Sequence, residues 1–193
     1  MITTMNTLFT VEQTLPEGFA YYEDFIGKKE EEKLAETISK TKLHNLLFQG
    51  YEAKRKVVSY GYDWSFEKKV LSKGRDIPED YDFLVQRISD YLSISPKAIA
   101  ELLVTEYPPG SVINWHRDAP PFDIIAGVSL MSDCIFKLRP YDKAKQKRNS
   151  VISIPVRQRS LYIMQGLVRS DWEHSIAPVK QPRYSITLRT LRA

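Results

Sequence analysis

The sequence predicts an α+β protein, mainly β, and three observations carry that prediction. The second half of the 193-residue chain holds about eight short β-rich runs separated by turn signals. The first half holds two helix-period patterns around an aromatic, β-branched stretch. Apolar residues make up 42% and charged residues 27%, so one sizeable core is expected. Eight short strands at such spacing indicate a sandwich or a barrel.

Taken in order, Lys28 to Lys40 is the first helix, with Leu34, Thr37 and Ile38 on one face. Leu46 to Phe66, with Gly50 and Gly61, reads as strands or a hairpin. Ser72 to Pro78 is a turn region. Glu79 to Leu92 is the stronger helix: Tyr81, Leu84, Val85, Ile88, Tyr91 and Leu92 recur at helical spacing behind Pro78. The strands are expected at Leu102–Tyr107, Val112–His116, Ile124–Ser129, Cys134–Leu138, Val151–Ile154, Ser160–Met164, Trp172–Ile176 and Tyr184–Thr190. Pro108-Pro109-Gly110, Ala119-Pro120-Pro121 and Gln165-Gly166 punctuate them. We expect one domain over residues 1–193, with residues 1–97 supplying helices and a flexible hairpin and residues 98–193 the β core.

Composition narrows the function classes. The longest apolar runs are only a few residues, too short for a membrane helix. Met1 to Thr10 lacks the basic start and apolar stretch of a secretory signal. The single cysteine, Cys134, excludes an intramolecular disulfide and a four-cysteine zinc site. A monomeric cytoplasmic protein without membrane partners is expected. Charge is uneven: Lys137 to Arg159 holds eight basic residues against Asp142, a local +7 in a chain of net +4. Such a surface suits a polyanion such as nucleic acid, or else is a solvated loop.

Chemistry concentrates in the second half. His116-Arg117-Asp118 places an imidazole and a carboxylate two apart, a spacing that shares a face on a strand. His174 follows 56 positions after Asp118. Two histidines and one carboxylate form the facial set that leaves metal positions open, although a lone strand histidine is usually structural. Arg183-Tyr184-Ser185-Ile186-Thr187-Leu188-Arg189 puts two arginines six apart on one side of a strand. Facing inward they would hold an anion, because arginine is costly to bury unpaired and its fork matches a carboxylate. Facing outward they would leave Tyr184, Ile186 and Leu188 as the core face, and periodicity permits either.

Tyr107-x2-Gly110, His116-x-Asp118, His174 and Arg183-x5-Arg189 occur in an order and spacing that resemble the AlkB family of Fe(II)- and 2-oxoglutarate-dependent dioxygenases, over about Leu102 to Arg192. The Arg-Tyr-Ser-x-Thr-x-Arg string is its most specific part. The resemblance implies a double-stranded β-helix (jelly roll) core with N-terminal helices and a nucleotide-recognition lid. It implies Fe(II) held by His116, Asp118 and His174, with O2 as the other reactant. It implies 2-oxoglutarate with its distal carboxylate on Arg183 and Tyr107 and its metal-side carboxylate on Arg189. Thr105 and Ser185 stand where the family often has asparagine, keeping a polar group of shorter reach.

The activity so implied is oxidative demethylation of alkylated bases of the N1-methyladenine or N3-methylcytosine type, with release of succinate, CO2 and formaldehyde. The partner would be alkylated single-stranded DNA or RNA, DNA repair being the first expectation. Oxidation of a modified RNA base, or of a non-nucleic-acid substrate, is the alternative. The lid would be Lys54 to Trp64, where Arg55 meets phosphate and Tyr60, Tyr62 and Trp64 offer rings to an extruded base. The competing reading is an ordinary hairpin with rings in the core. Arg139 is added as a basic contact at the start of the Arg139 to Val151 loop. That loop and Ile154 to Leu161 resemble the branch that includes tRNA-modifying members. Pro120 stands where repair members often carry an acidic residue, with Asp123 nearby. Cys134 is expected buried and inert, His44 at the surface, and Trp115 turned away from the metal, while Trp172 shares the parity of His174.

Overall fold

A computed structural model describes residues 14–48 and 51–192. Met1 to Thr10 and the expected turn at Gly50 lie outside the described residues. The chain begins with β1 (Phe19–Tyr22), α1 (Lys28–Ser39), β2 (His44–Phe48), β3 (Tyr51–Ser65) and β4 (Val70–Lys73). There follow α2 (Asp82–Leu92), β5 (Ile99–Tyr107), β6 (Ile113–His116), β7 (Phe122–Leu130) and β8 (Cys134–Pro140). The chain closes with β9 (Ile152–Val156), β10 (Leu161–Met164), α3 (Leu167–Ser170), β11 (Trp172–Ile176) and β12 (Arg183–Leu191). The eight expected second-half strands are therefore all present.

The strands form two antiparallel sheets, one ordered β1-β10-β7-β12-β5-β3-β2 with β4 on β3, the other β6-β11-β8-β9. Their facing sides close on one apolar cluster, with Tyr107, Phe122, Ile125 and Met164 from the larger sheet and Phe136, Leu138, Ile154 and Ile176 from the smaller. This is the jelly roll expected above. On the outer side of the larger sheet, α1 and α2 pack over Val58, Val104, Val128 and Ile186. Strands β1, β2 and β3 hydrogen-bond into the same sheet as the later strands.

Local chemistry accounts for the elements. The Glu30 carboxylate accepts the Gly27 N–H at 2.8 Å and closes the first turn of α1. Leu34 and Ile38 are fully buried, worth about 3–6 kcal/mol together. Arg87 of α2 donates to Glu30 of α1 at 2.5 and 2.9 Å, tying the helices together. Glu79–Tyr81 is a 3-10 turn leading into α2, and Ser93 at φ +55° ends it. Tyr91 departs from the expected apolar stripe: it is 44% exposed and meets Tyr22 edge-on. The expected turn at Ser72 to Pro78 begins too early, because Ser72 and Lys73 complete β4 against Asp63 and Tyr62. Among the described residues, no helix is long and apolar enough to cross a membrane.

Candidate metal centre

Strand register builds the site. On β12, Arg183 faces Tyr107, Ser185 faces Thr105, Thr187 faces Leu103 and Arg189 faces Glu101 across β5. On the other flank, Ser185 faces Ser129, Thr187 faces Gly127 and Arg189 faces Ile125 across β7. The odd-numbered face of β12 thus looks into the barrel, and the even-numbered Ile186 and Leu188 pack beneath the helices. Both arginines face inward and the even residues are core as well, because both faces of this central strand are buried.

His116 of β6 and His174 of β11 are directly paired across the smaller sheet, with ring centroids 4.2 Å apart. Asp118 lies just past the end of β6, and its Oδ2 approaches His174 Nε2 at 3.6 Å. One ligand atom from each of the three falls within 4.8 Å of the others. His116 Nδ1 meets the Asn114 carbonyl at 2.8 Å, which leaves Nε2 for the cluster. Phe136 stacks on His174 at 5.2 Å. Burial holds the His174 imidazole neutral, with its pKa pushed down to about 3. Burial is the largest single influence and opposes charge on Asp118, but Arg189, His174, His116 and Arg169 together overcome it and hold the carboxyl well below the usual range.

The donor set fits a divalent metal. Asp118 Oδ2 is buried without a hydrogen-bond partner, an arrangement that costs about 1–3 kcal/mol unless something else satisfies it. Two imidazoles and one carboxylate are the facial set suited to Fe(II). The neighbouring pocket fits a carboxylate. Arg183 is 1% exposed, donates from Nε to Ser129 Oγ at 3.0 Å and lies 4.8 Å over the Tyr107 ring. Its Nη1 has no partner among the described residues. Ser185 Oγ reaches the Tyr107 hydroxyl at 3.4 Å, and Thr105 is buried opposite Ser185.

Arg189, expected at the metal-side carboxylate, also makes contacts within the protein. It donates to Glu101 at 2.5 Å and to Asp118 at 2.9 Å, bracing the carboxylate of the candidate metal site. Its Nε remains without a partner. Arg55 is partly buried, with Tyr107, Arg189 and Asp118 as its titratable neighbours, and burial lowers its pKa.

Two residues expected at the substrate lie elsewhere. Tyr60 is buried in the helix-side core, 6.2 Å from Tyr81. The reason is Gly61, at φ +80°, where β3 leaves β5 and pairs instead with β4. Residues before this point follow the floor of the sheet, and those after it belong to a separate hairpin. Trp64 and Leu71 of that hairpin pack against the metal-side cluster, and Tyr62 lines a groove of about 680 Å³ with Lys73 and Lys97. Arg139 pairs with Glu173 and stacks 4.2 Å from the Trp115 ring. Glu173 precedes His174 on β11, so Arg139 projects from the opposite face of the smaller sheet to the metal ligands.

Three contributors carried no sequence motif. Arg169 is buried, donates to the carbonyls of Ala119, Phe122 and Asp123, and comes within 3.9 Å of Asp118. Arg117 stacks 3.7 Å from Tyr141, fixing the root of the basic loop beside the candidate ligand His116. In that loop Lys143, Lys145, Lys147 and Arg148 are exposed, and none appears in an ion pair among the described residues. Arg157 and Arg159, by contrast, are spent on Asp133 and on Glu31. The third contributor is Tyr162 of β10, opposite Gly127.

Comparison with known proteins agrees with this geometry. The sequence profile described as the 2OG-Fe(II) oxygenase superfamily matches residues 18–192. The tRNA (carboxymethyluridine(34)-5-O)-methyltransferase ALKBH8 of Mus musculus is 27% identical over 177 residues, covering 87% of this chain and 25% of that protein. The chain thus spans about a quarter of the length of such relatives. The RNA demethylase ALKBH5 of Bos taurus is 28% identical over 130 residues, 61% of this chain and 32% of that one. Among solved structures, OsALKBH1 aligns with a TM-score of 0.68 at 12% identity, covering 92% of this chain and 99% of that one, which speaks to the fold alone.

Proposed function

Because the chain belongs to the 2OG-Fe(II) oxygenase superfamily and within it to the AlkB family, whose members use Fe(II), 2-oxoglutarate and O2, we propose that it oxidises an alkyl substituent on a nucleic-acid base. The observation that carries the reading is the orphaned Asp118 oxygen between His116 and His174, beside the orphaned Arg183 donor. Bound there, iron with 2-oxoglutarate and O2 supplies the oxidising power to convert a C–H bond into C–OH.

The chain's own residues do the rest. His116, Asp118 and His174 would hold the metal, and Arg189 and Arg169 keep Asp118 ionised and aimed. Arg183, Tyr107 and Ser185 would receive the distal carboxylate of 2-oxoglutarate. Trp64 and Leu71 cover the metal-side cluster and limit water there. Oxidation of an N-methyl group gives an unstable carbinolamine, which releases formaldehyde and the bare base. The exposed Lys143, Lys145, Lys147 and Arg148 suit the phosphate backbone. Arg55, at the site itself, suits a phosphate next to the target base. One cytoplasmic, monomeric AlkB-like domain is the form proposed.

Repair of N1-methyladenine or N3-methylcytosine in DNA and oxidation of an RNA base share this machinery. Two observations favour RNA. The relatives reported above carry tRNA and RNA in their names. Moreover, Arg55, Arg169, Arg183 and Arg189 outnumber Asp118 and Glu101 around the centre, and Pro120 adds no acid to balance a cationic methylated base. The test is nucleoside mass spectrometry after incubation with Fe(II), ascorbate and 2-oxoglutarate. Bulk tRNA and methylated single-stranded DNA form separate arms, with His116→Ala as control. A change confined to tRNA supports the favoured reading, and loss of methyl groups from DNA alone reverses it. Succinate release without change in either polymer discards the substrate class and keeps the oxidation chemistry.

A further inference from the structure

Tyr162 occupies a position that core packing alone does not explain. It sits on β10 directly opposite Gly127 of β7, and Gly127 is in turn opposite Thr187 of β12. A methyl group added at Gly127 would lie 2.2 Å from Tyr162 Cζ and 2.4 Å from its hydroxyl oxygen. The phenol therefore lies flat across β7, using the space a glycine leaves, and its hydroxyl end points toward β12 between Arg183 and Arg189. The ring packs 5.0 Å from Phe136, which itself stacks on His174.

The titratable groups that act on the phenol are Tyr107, Arg183, Asp118 and Cys134, and Arg189 feels it in turn. Burial raises the pKa of the phenol, so it stays a neutral donor. Among the described residues, no hydrogen bond is made by the hydroxyl, and its oxygen is not one of the fully enclosed atoms lacking a partner, so it keeps some accessible surface. A leucine or phenylalanine would fill the same volume without placing an oxygen there.

We propose that Tyr162 is a cosubstrate-binding residue, whose hydroxyl donates to an oxygen of the 2-oxo dicarboxylate held between the Asp118 side of the centre and Arg183. Gly127 is the companion that lets the ring cross the strand. This rests on the 2-oxoglutarate reading above and goes beyond it by adding a donor from β10 to those of β5 and β12. The assignment explains why a glycine sits in the middle of a central strand, where its lack of a side chain otherwise weakens packing.

The experiment measures binding rather than turnover. Calorimetry of 2-oxoglutarate into Mn(II)-loaded protein compares wild type with Tyr162→Phe, which removes one oxygen and keeps the ring. The expected result is about tenfold weaker 2-oxoglutarate binding, equal to about 1.4 kcal/mol, with Mn(II) affinity and the melting temperature of the metal-free protein unchanged. A second readout needs no substitution in the sample under test. In protein labelled with 3-fluorotyrosine and loaded with Zn(II), the Tyr162 fluorine resonance, assigned by its loss in Tyr162→Phe, should shift when 2-oxoglutarate is added. Binding by Tyr162→Phe within twofold of wild type, or a resonance that does not move, overturns the proposal. Failure of wild type itself to bind 2-oxoglutarate overturns the reading beneath it as well, so the two failures are told apart.

Discussion

Replacing Arg189 with methionine tests the buried charge bridge at the centre of the site. Its guanidinium joins Glu101 at 2.5 Å to Asp118 at 2.9 Å, and the three side chains are only 13%, 3% and 6% exposed. With charge centres about 4 Å apart and an effective dielectric near 20, each attraction is about 4 kcal/mol. Much of that offsets the desolvation of the three groups, so the intact bridge is nearly neutral to stability. Removing the arginine is not neutral, because it leaves two carboxylates buried together. Loss of one partner from a buried pair costs about 3–5 kcal/mol, a drop of about 6–20 °C in Tm for a chain of this size.

The deficit should also depend on pH in a defined direction. Burial already raises the Glu101 pKa against the pull of Arg189, and without Arg189 it rises further. A carboxyl whose folded pKa lies above its unfolded value loses stability as pH rises through that range. Arg189→Met should therefore be hurt more at pH 8 than at pH 5. Adding Glu101→Gln should recover part of the loss, since one of the two stranded charges is gone. The assay is chemical denaturation of the four metal-free proteins of this double-mutant cycle at both pH values. A cost under about 1 kcal/mol for Arg189→Met, or a double variant no more stable than that single one, would refute the reasoning.

Other outcomes follow from the same geometry. Mn(II) at about a hundredfold its Kd should stabilise the wild type by about 2.7 kcal/mol, and His116→Ala or Asp118→Ala should lose that increment in a thermal-shift titration. Gly127→Ala should drive a methyl group into the Tyr162 ring and cost about 1–3 kcal/mol by denaturation, with Tyr162→Leu restoring part of it. Cys134, whose thiol pKa burial raises, should react with iodoacetamide at pH 8 far more slowly in the native protein than in urea, as read by intact mass.

The strands of the second half were legible because each is a short β-rich run and most are punctuated by proline, glycine or a polar turn, and such signals are local. The candidate metal ligands were legible because His116 and Asp118 lie two apart and the order of later motifs is distinctive. The direction of Arg183 and Arg189 was not, since Tyr184 to Leu188 alternates equally well on a strand buried on both sides. Tyr60 was misplaced because a positive φ at Gly61 changes which sheet the strand belongs to, and alternation counted from Trp64 does not survive it. Arg139 was misplaced because basic clustering says nothing about which face of a sheet a residue takes. Arg169 acts on backbone carbonyls about fifty positions away in sequence, and Tyr162 acts by virtue of a glycine on the next strand. Neither leaves a trace in a linear pattern.

Gly61 is the point where one strand serves two structures. Its N–H donates to Arg75 O at 2.6 Å and its carbonyl accepts from Gly74 at 2.7 Å, so the hairpin is latched there. Two residues earlier, Ser59 donates to Glu101, which holds Arg189, which holds Asp118. A rigid cover hung on a loose loop would open without the centre noticing. This hairpin is instead tied to it: its last latch and the Asp118 carboxylate are the two ends of one short run of hydrogen bonds.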